Sequence, residues 1–275
     1  GVWGGMGFDG LAVSTVVSQT GVMAYMIRQV LRLDTTTNLR ARNFRPRLRR
    51  VKDIAMQALP SAVSFMIMIL SAFVVQFALK DFGEHAIAGY GVAIRLEQIL
   101  LLPVLGVTGA LLPIASQHFG AGNAQGVRDA VFFCLKVGLI MTLIAAPVLW
   151  IFGRFILGFF TDDPDVIRVG VAYLRVDGVI LPIYMLLFAI TSFLQAMKRP
   201  IWTVWISLYR QGFGVAFFIW VFVGVLGFSE IGVWFGVAAA VSTGALIAVF
   251  IAERVAQAEI GGLFRPVPPS EAPIG

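Results

Sequence analysis

Seven stretches of this chain hold no charged side chain: 10–27, 54–79, 98–127, 137–153, 178–197, 211–229 and 231–252. A helix crossing the hydrocarbon core of a bilayer needs about 20 mostly apolar residues, whereas membrane strands are short and alternate in polarity. Long apolar runs therefore predict an all-α, polytopic membrane helix bundle with about seven transmembrane helices. Several runs extend past a flanking charge: the third back to about Ala86, the fourth to Val131, the fifth to Val166 and the sixth to Ile201. Composition argues against a soluble domain of the same length. Only 13% of the residues are charged, against about 25% in soluble proteins, and that is too few to cover a surface in water.

The charges that remain are unevenly placed. Between Arg28 and Asp53 lie Arg28, Arg32, Arg40, Arg42, Arg45, Arg47, Arg49, Arg50 and Lys52. Net charge is +6, but basic residues gathered in one interhelical segment indicate membrane orientation and not nucleic-acid binding. The positive-inside rule places this segment in the cytoplasm. Alternation then puts the loops near 80–85, 153–165 and 227–230 outside, and those near 117–128 and 197–200 inside with the C-terminus. The expected organisation is one helix over 1–27, a basic cytoplasmic linker over 28–53, a six-helix lobe over 54–256 and a disordered cytoplasmic tail over 257–275. The tail is proline-rich, which favours disorder.

Motifs for chemistry are sparse. Cys134 is the only cysteine, and His85 and His118 are far apart, so no metal-ligand spacing is visible. There is no HExxH and no cluster of acidic ligands, so a membrane enzyme is disfavoured. A channel lacks a recognisable filter motif. No cofactor is expected.

What stands out is charge inside the predicted spans. Lys136 and Arg210 lie near predicted cytoplasmic ends and can snorkel to the interface. Arg95, Glu97 and Asp177 lie deeper, where a charge must be paired or hydrated. They form the candidate polar network, linked to a proton or cation or lining a cavity. Residues two apart on a helix point about 200° apart, so Arg95 and Glu97 make poor partners. The economical pairing is Arg95 with Asp177. Pro60, Pro103, Pro113, Pro147 and Pro182 lie in or at the ends of spans and bend them.

Several stretches resemble the multidrug and toxic compound extrusion (MATE) family. One is "IRLEQI" at 94–99, followed by Pro103, Gly106, Ala110 and Pro113 and then "QHFGAGN" at 117–123, with Gly120, Gly122 and Asn123 as turn residues. Another is "ALPSAVSFM" at 58–66, around Pro60, after the basic linker. "LAVSTVVSQ" at 11–19 and "SFLQAMKRP" at 192–200 resemble the last span of that family's first lobe and the exit of its tenth span. The resemblance implies the sixth span and the second six-span lobe of a twelve-span antiporter, with an N-terminal lobe outside this chain. It further implies export of small organic, cationic compounds in exchange for H+ or Na+, from a multi-pass position in a bacterial inner membrane among its lipids. A flippase of lipid-linked saccharides with a related fold is the alternative. The sodium-coupled branch would place acids near Met68 and near Leu187 or Phe188, where this chain has none.

Overall fold

A computed structural model describes residues 7–32 and 48–264. Every regular element among them is helical. The chain divides into two units, 1–53 and 54–275. The first contributes α1 (Gly7–Arg32), an apolar helix of 26 residues that ends on Arg32. The middle of the predicted basic linker lies outside the described residues, as does the tail from residue 265.

The second unit is a helical bundle. Helix α2 (Leu48–Leu79) leads through a short 3-10 turn (Lys80–Phe82) into α3 (Glu84–Gly120), which is followed by α4 (Ala124–Leu157) and α5 (Pro164–Ala196). The next span, Ile201–Val225, is composite: α6 (Ile201–Ser207), a π segment (Leu208–Phe213), α7 (Gly214–Ile219) and a second π segment (Trp220–Val225). Helix α8 (Glu230–Ile260) closes the bundle. Six of these helices are long and apolar enough to cross a membrane: Ile54–Phe82, Glu84–Gly120, Ala124–Leu157, Pro164–Ala196, Ile201–Val225 and Glu230–Ile260.

The helices start earlier than the charge-free runs because a charge interrupts an apolar run without breaking the i to i−4 backbone hydrogen bonds of a helix. Thus α3 begins at Glu84 and carries Arg95 and Glu97 well inside it. It stops at Gly120, not at the next charge, because the backbone turns at Gly122 with φ +69. Asn123 then caps α4, its side chain accepting from the Gly126 amide at 2.8 Å; such a cap satisfies one of a helix's orphan N–H groups. The C-terminal boundary also differs from expectation. α8 runs to Ile260, and Leu263 is buried. The Arg128 guanidinium donates to the carbonyls of Ile260 and Gly262 at 2.6 and 2.8 Å, and Glu253 accepts from the amides of Leu263 and Phe264. Residues 257–264 are therefore packed structure, because neighbouring side chains satisfy the last carbonyls of the helix.

Contacts between connections define the two ends of the bundle. At one end His85 meets Asp163 at 3.2 Å and Arg168 meets Glu230 at 2.9 Å, joining the α2–α3, α4–α5 and α7–α8 connections. At the other end Arg199 pairs with Glu259 at 2.8 Å, and Arg128 holds the end of α8. The helices thus run alternately up and down, and α3 and α5 are parallel neighbours across α4.

α3 and α5 make the most extensive contact in the bundle. Glycine permits it. A Cβ on Gly89 would lie 2.8 Å from the Val166 carbonyl oxygen, and one on Gly170 would lie 3.3 Å from the carbonyl oxygen of Gly89. Small residues allow close approach where hydrocarbon supplies no hydrophobic drive between helices. Elsewhere large apolar side chains face outward, among them Phe73 and Phe77 on α2 and Ile144 and Phe155 on α4. Exposure on that scale suits hydrocarbon or other helices, not water.

Candidate functional site

The close α3–α5 crossing brings two carboxylates together inside the bundle. Glu97 is 7% exposed and Asp177 is 1% exposed. Each stands thirteen residues in from the first residue of its helix, Glu84 or Pro164, a depth of about 20 Å at 1.5 Å per residue. They act on each other electrostatically. Tyr173, one turn before Asp177, donates its hydroxyl hydrogen to Glu97 Oε2. Both carboxylate oxygens of Asp177 are buried and have no hydrogen-bond partner among the described residues.

Three aromatic rings lie on the His85 side of the pair. Tyr90 stacks on Trp234 with centroids 5.6 Å apart. Tyr173 stands edge-on to both, at 5.3 Å from Tyr90 and 5.0 Å from Trp234. Edge-to-face and offset stacks at these separations are the favoured ring geometries. Trp234 is 1% exposed, and its indole N–H has no partner among the described residues.

Arg210 approaches from the composite span. It lies in the first π segment, a geometry that inserts a residue into the turn and is frequent at functional sites. Its Cζ lies over the Tyr184 ring, 5.8 Å from the centroid. Gly244 on α8 makes room, since a Cβ there would lie 3.0 Å from Arg210 Cβ. Arg210 acts electrostatically on Glu97 and Tyr184. Gln211, next to it, buries a carbonyl oxygen with no partner among the described residues. No group of three or more metal-ligating side chains occurs among the described residues.

The residues expected from sequence separate into two sets. Glu97 and Asp177 come together. Arg95 does not join them: it is exposed, and no ion pair to Asp177 exists among the described residues. The cause is angular, because the face that turns Glu97 toward α5 turns Arg95 away. Arg175 precedes Asp177 by two residues and is exposed for the same reason. Lys136 is also exposed, whereas Arg210 reaches inward over a ring and does not snorkel. Of the turn and kink residues, Gly120 ends α3, and Gly122 and Asn123 form the turn into α4; Pro60, Pro103 and Pro113 lie inside α2 and α3. Gly106 has open space where a Cβ would stand. The sequence reading missed Tyr90, Tyr173, Tyr184 and Trp234. A tyrosine four residues before a mid-span aspartate, as in Tyr173 and Asp177, was the available signal.

Apolar helices of membrane-spanning length packed around an acidic, aromatic-roofed interior define a multi-pass membrane protein with the architecture of a transporter lobe. The MatE family model matches residues 60–220, and the chain belongs to that family of multidrug efflux transporters. Similar proteins include the probable multidrug resistance protein YpnP of Bacillus subtilis, 24% identical over 170 residues, covering 62% of this chain and 38% of that protein. The multidrug export protein MepA of Staphylococcus aureus is 25% identical over 196 residues, covering 69% of this chain and 43% of its own length. The chain thus spans less than half the length of these curated relatives. Among solved structures, a MATE transporter in complex with MaL6 matches with a TM-score of 0.83 at 20% identity, covering 92% of this chain and 57% of that one. A MOP superfamily transporter from Pyrococcus furiosus matches with a TM-score of 0.84 at 20% identity, over the same shares of the two chains.

Proposed function

We propose that this lobe couples the export of small organic cations to the inward movement of protons, with Glu97 and Asp177 as the groups that exchange one for the other. The carrying observation is the Asp177 carboxylate, buried beside a second acid with both oxygens unpartnered among the described residues. An unpaired ionised carboxylate in such a place is costly, so the site favours a positive species. A proton needs one lone pair, whereas an alkali cation bound by oxygens needs several. The described side chains at this point offer two carboxylates and the Tyr173 hydroxyl, which supports H+ over Na+. The roof of Tyr90, Tyr173 and Trp234 supplies aromatic faces suited to an organic cation.

In the flippase reading Arg95 and Arg175 would hold phosphate. They stand on exposed faces opposite the acids, and the acidic interior supports export of cations. The whole transporter needs its other lobe, because an alternating-access site forms between two repeats. By this reading it resides in the inner membrane of a bacterium. The test is proton release on binding. Adding tetraphenylphosphonium to the purified full-length protein in weak buffer should release protons, and Asp177→Asn should abolish the release. Binding with no proton release in the wild type, but competing with Na+, would replace protons by sodium as the coupling ion.

A further inference from the structure

We propose that Arg210 is a specificity determinant: a built-in counter-charge that limits the acid pair to cargo carrying a single positive charge. The inference rests on the export reading above and extends it to the charge class of the substrate.

Arg210 sits fifteen residues before Val225, the end of its span on the His85 side. That is roughly the same depth as the two acids, about 20 Å. Its partners are a ring face and the electrostatic field of Glu97, and no carboxylate lies within 4.0 Å of it among the described residues. The stem of the side chain lies against Gly244, on the π segment that carries it. The charged and titratable groups facing this interior are Glu97 from α3, Asp177, Tyr173 and Tyr184 from α5, Tyr90 from α3, and Arg210. With both acids ionised and Arg210 positive, the interior holds one net negative charge. A low-dielectric site penalises any uncancelled charge. One proton or one organic monocation balances it; a dication leaves it one charge in excess. Arg210 thus also fixes a one-for-one exchange.

Removing the guanidinium should change the valence that fits. In the purified full-length protein, the affinities for tetraphenylphosphonium and for methyl viologen measure preference for one charge against two. Arg210→Gln should shift that ratio toward methyl viologen by roughly tenfold or more, as expected for loss of a nearby charge at an effective dielectric near 20. Arg210→Lys should keep the wild-type ratio. The double variant Glu97→Gln with Arg210→Gln restores one net negative charge and should return the ratio toward wild type, a recovery that a merely structural arginine would not give. An unchanged ratio in Arg210→Gln, or no recovery in the double variant, overturns the inference. If Asp177→Asn and Glu97→Gln singly bind both cations as wild type does, the acid-pair reading itself fails, whatever Arg210 does.

Discussion

Tyr173 on α5 donates its hydroxyl hydrogen to Glu97 on α3, and both side chains are buried. That bond orients Glu97, while Asp177, one turn further along α5, has no hydrogen-bond partner of its own among the described residues. The two acids are therefore unequal by construction. Glu97 is held by a protein hydrogen bond, and Asp177 has none among the described residues.

Tyr173→Phe removes the donor and strands a buried acceptor. The loss should be about 1–3 kcal/mol, the usual cost of an unmade hydrogen bond to a buried group. Glu97→Gln should cost less, because the amide oxygen still accepts from Tyr173. Unfolding of the purified full-length variants checks this ordering, and equal losses would mean that the bond does not orient Glu97.

The α3–α5 crossing gives a contrast between two glycines on one helix. Gly89→Ala forces a methyl group to within 2.8 Å of the Val166 carbonyl oxygen, and overpacking of that kind costs about 1–3 kcal/mol. Gly106→Ala meets nothing within 4 Å and should stabilise the helix by about 0.5–1 kcal/mol. Melting temperatures of the two variants should move in opposite directions. A neutral Gly89→Ala would place the helices further apart than described.

Much of the architecture was legible because apolar runs of bilayer length admit few folds. The span boundaries were less so, since a charge ends an apolar run without ending a helix; α3 carries Arg95 and Glu97 and stops only where Gly122 takes a positive φ. Glu97 and Asp177 were readable as deep charges. Asp177 was paired with Arg95, which turns out to be exposed, because depth along a helix is visible in sequence while facing direction between helices is not. Arg210 was hidden for a related reason. Counting from the cytoplasmic end put it within reach of the interface, and only the π segment and the space left by Gly244 turn it inward.

Asp163 caps α5, accepting from the backbone amides of Asp165 and Val166. The Asp165 N–H, with Val166 and His85 beside it, holds the Asp163 carboxyl below the usual carboxylate range. A depressed folded-state pKa adds stability that is present above the unfolded value, about 3.9, and is lost as pH falls through the folded one. Asp163→Ala should therefore lower the melting temperature near neutral pH and flatten its fall below about pH 4. A parallel fall in both proteins would remove Asp163 from the acid response.

The positive-inside rule predicts the orientation from the basic residues between Arg28 and Lys52. Cysteines introduced at Thr161 and Gln125, on opposite ends of α4, should label from opposite sides of intact cells, Thr161 from outside. Labelling of both from one side would contradict the alternating spans.

The acid pair as the coupling site is tested most directly by transport in vesicles containing the full-length protein. An imposed pH gradient should drive accumulation of tetraphenylphosphonium in the wild type. Asp177→Asn should abolish the gradient-driven component while the protein stays folded and inserted. Gradient-driven accumulation at the wild-type rate in Asp177→Asn would show that the buried carboxylate between α3 and α5 does not carry the coupling.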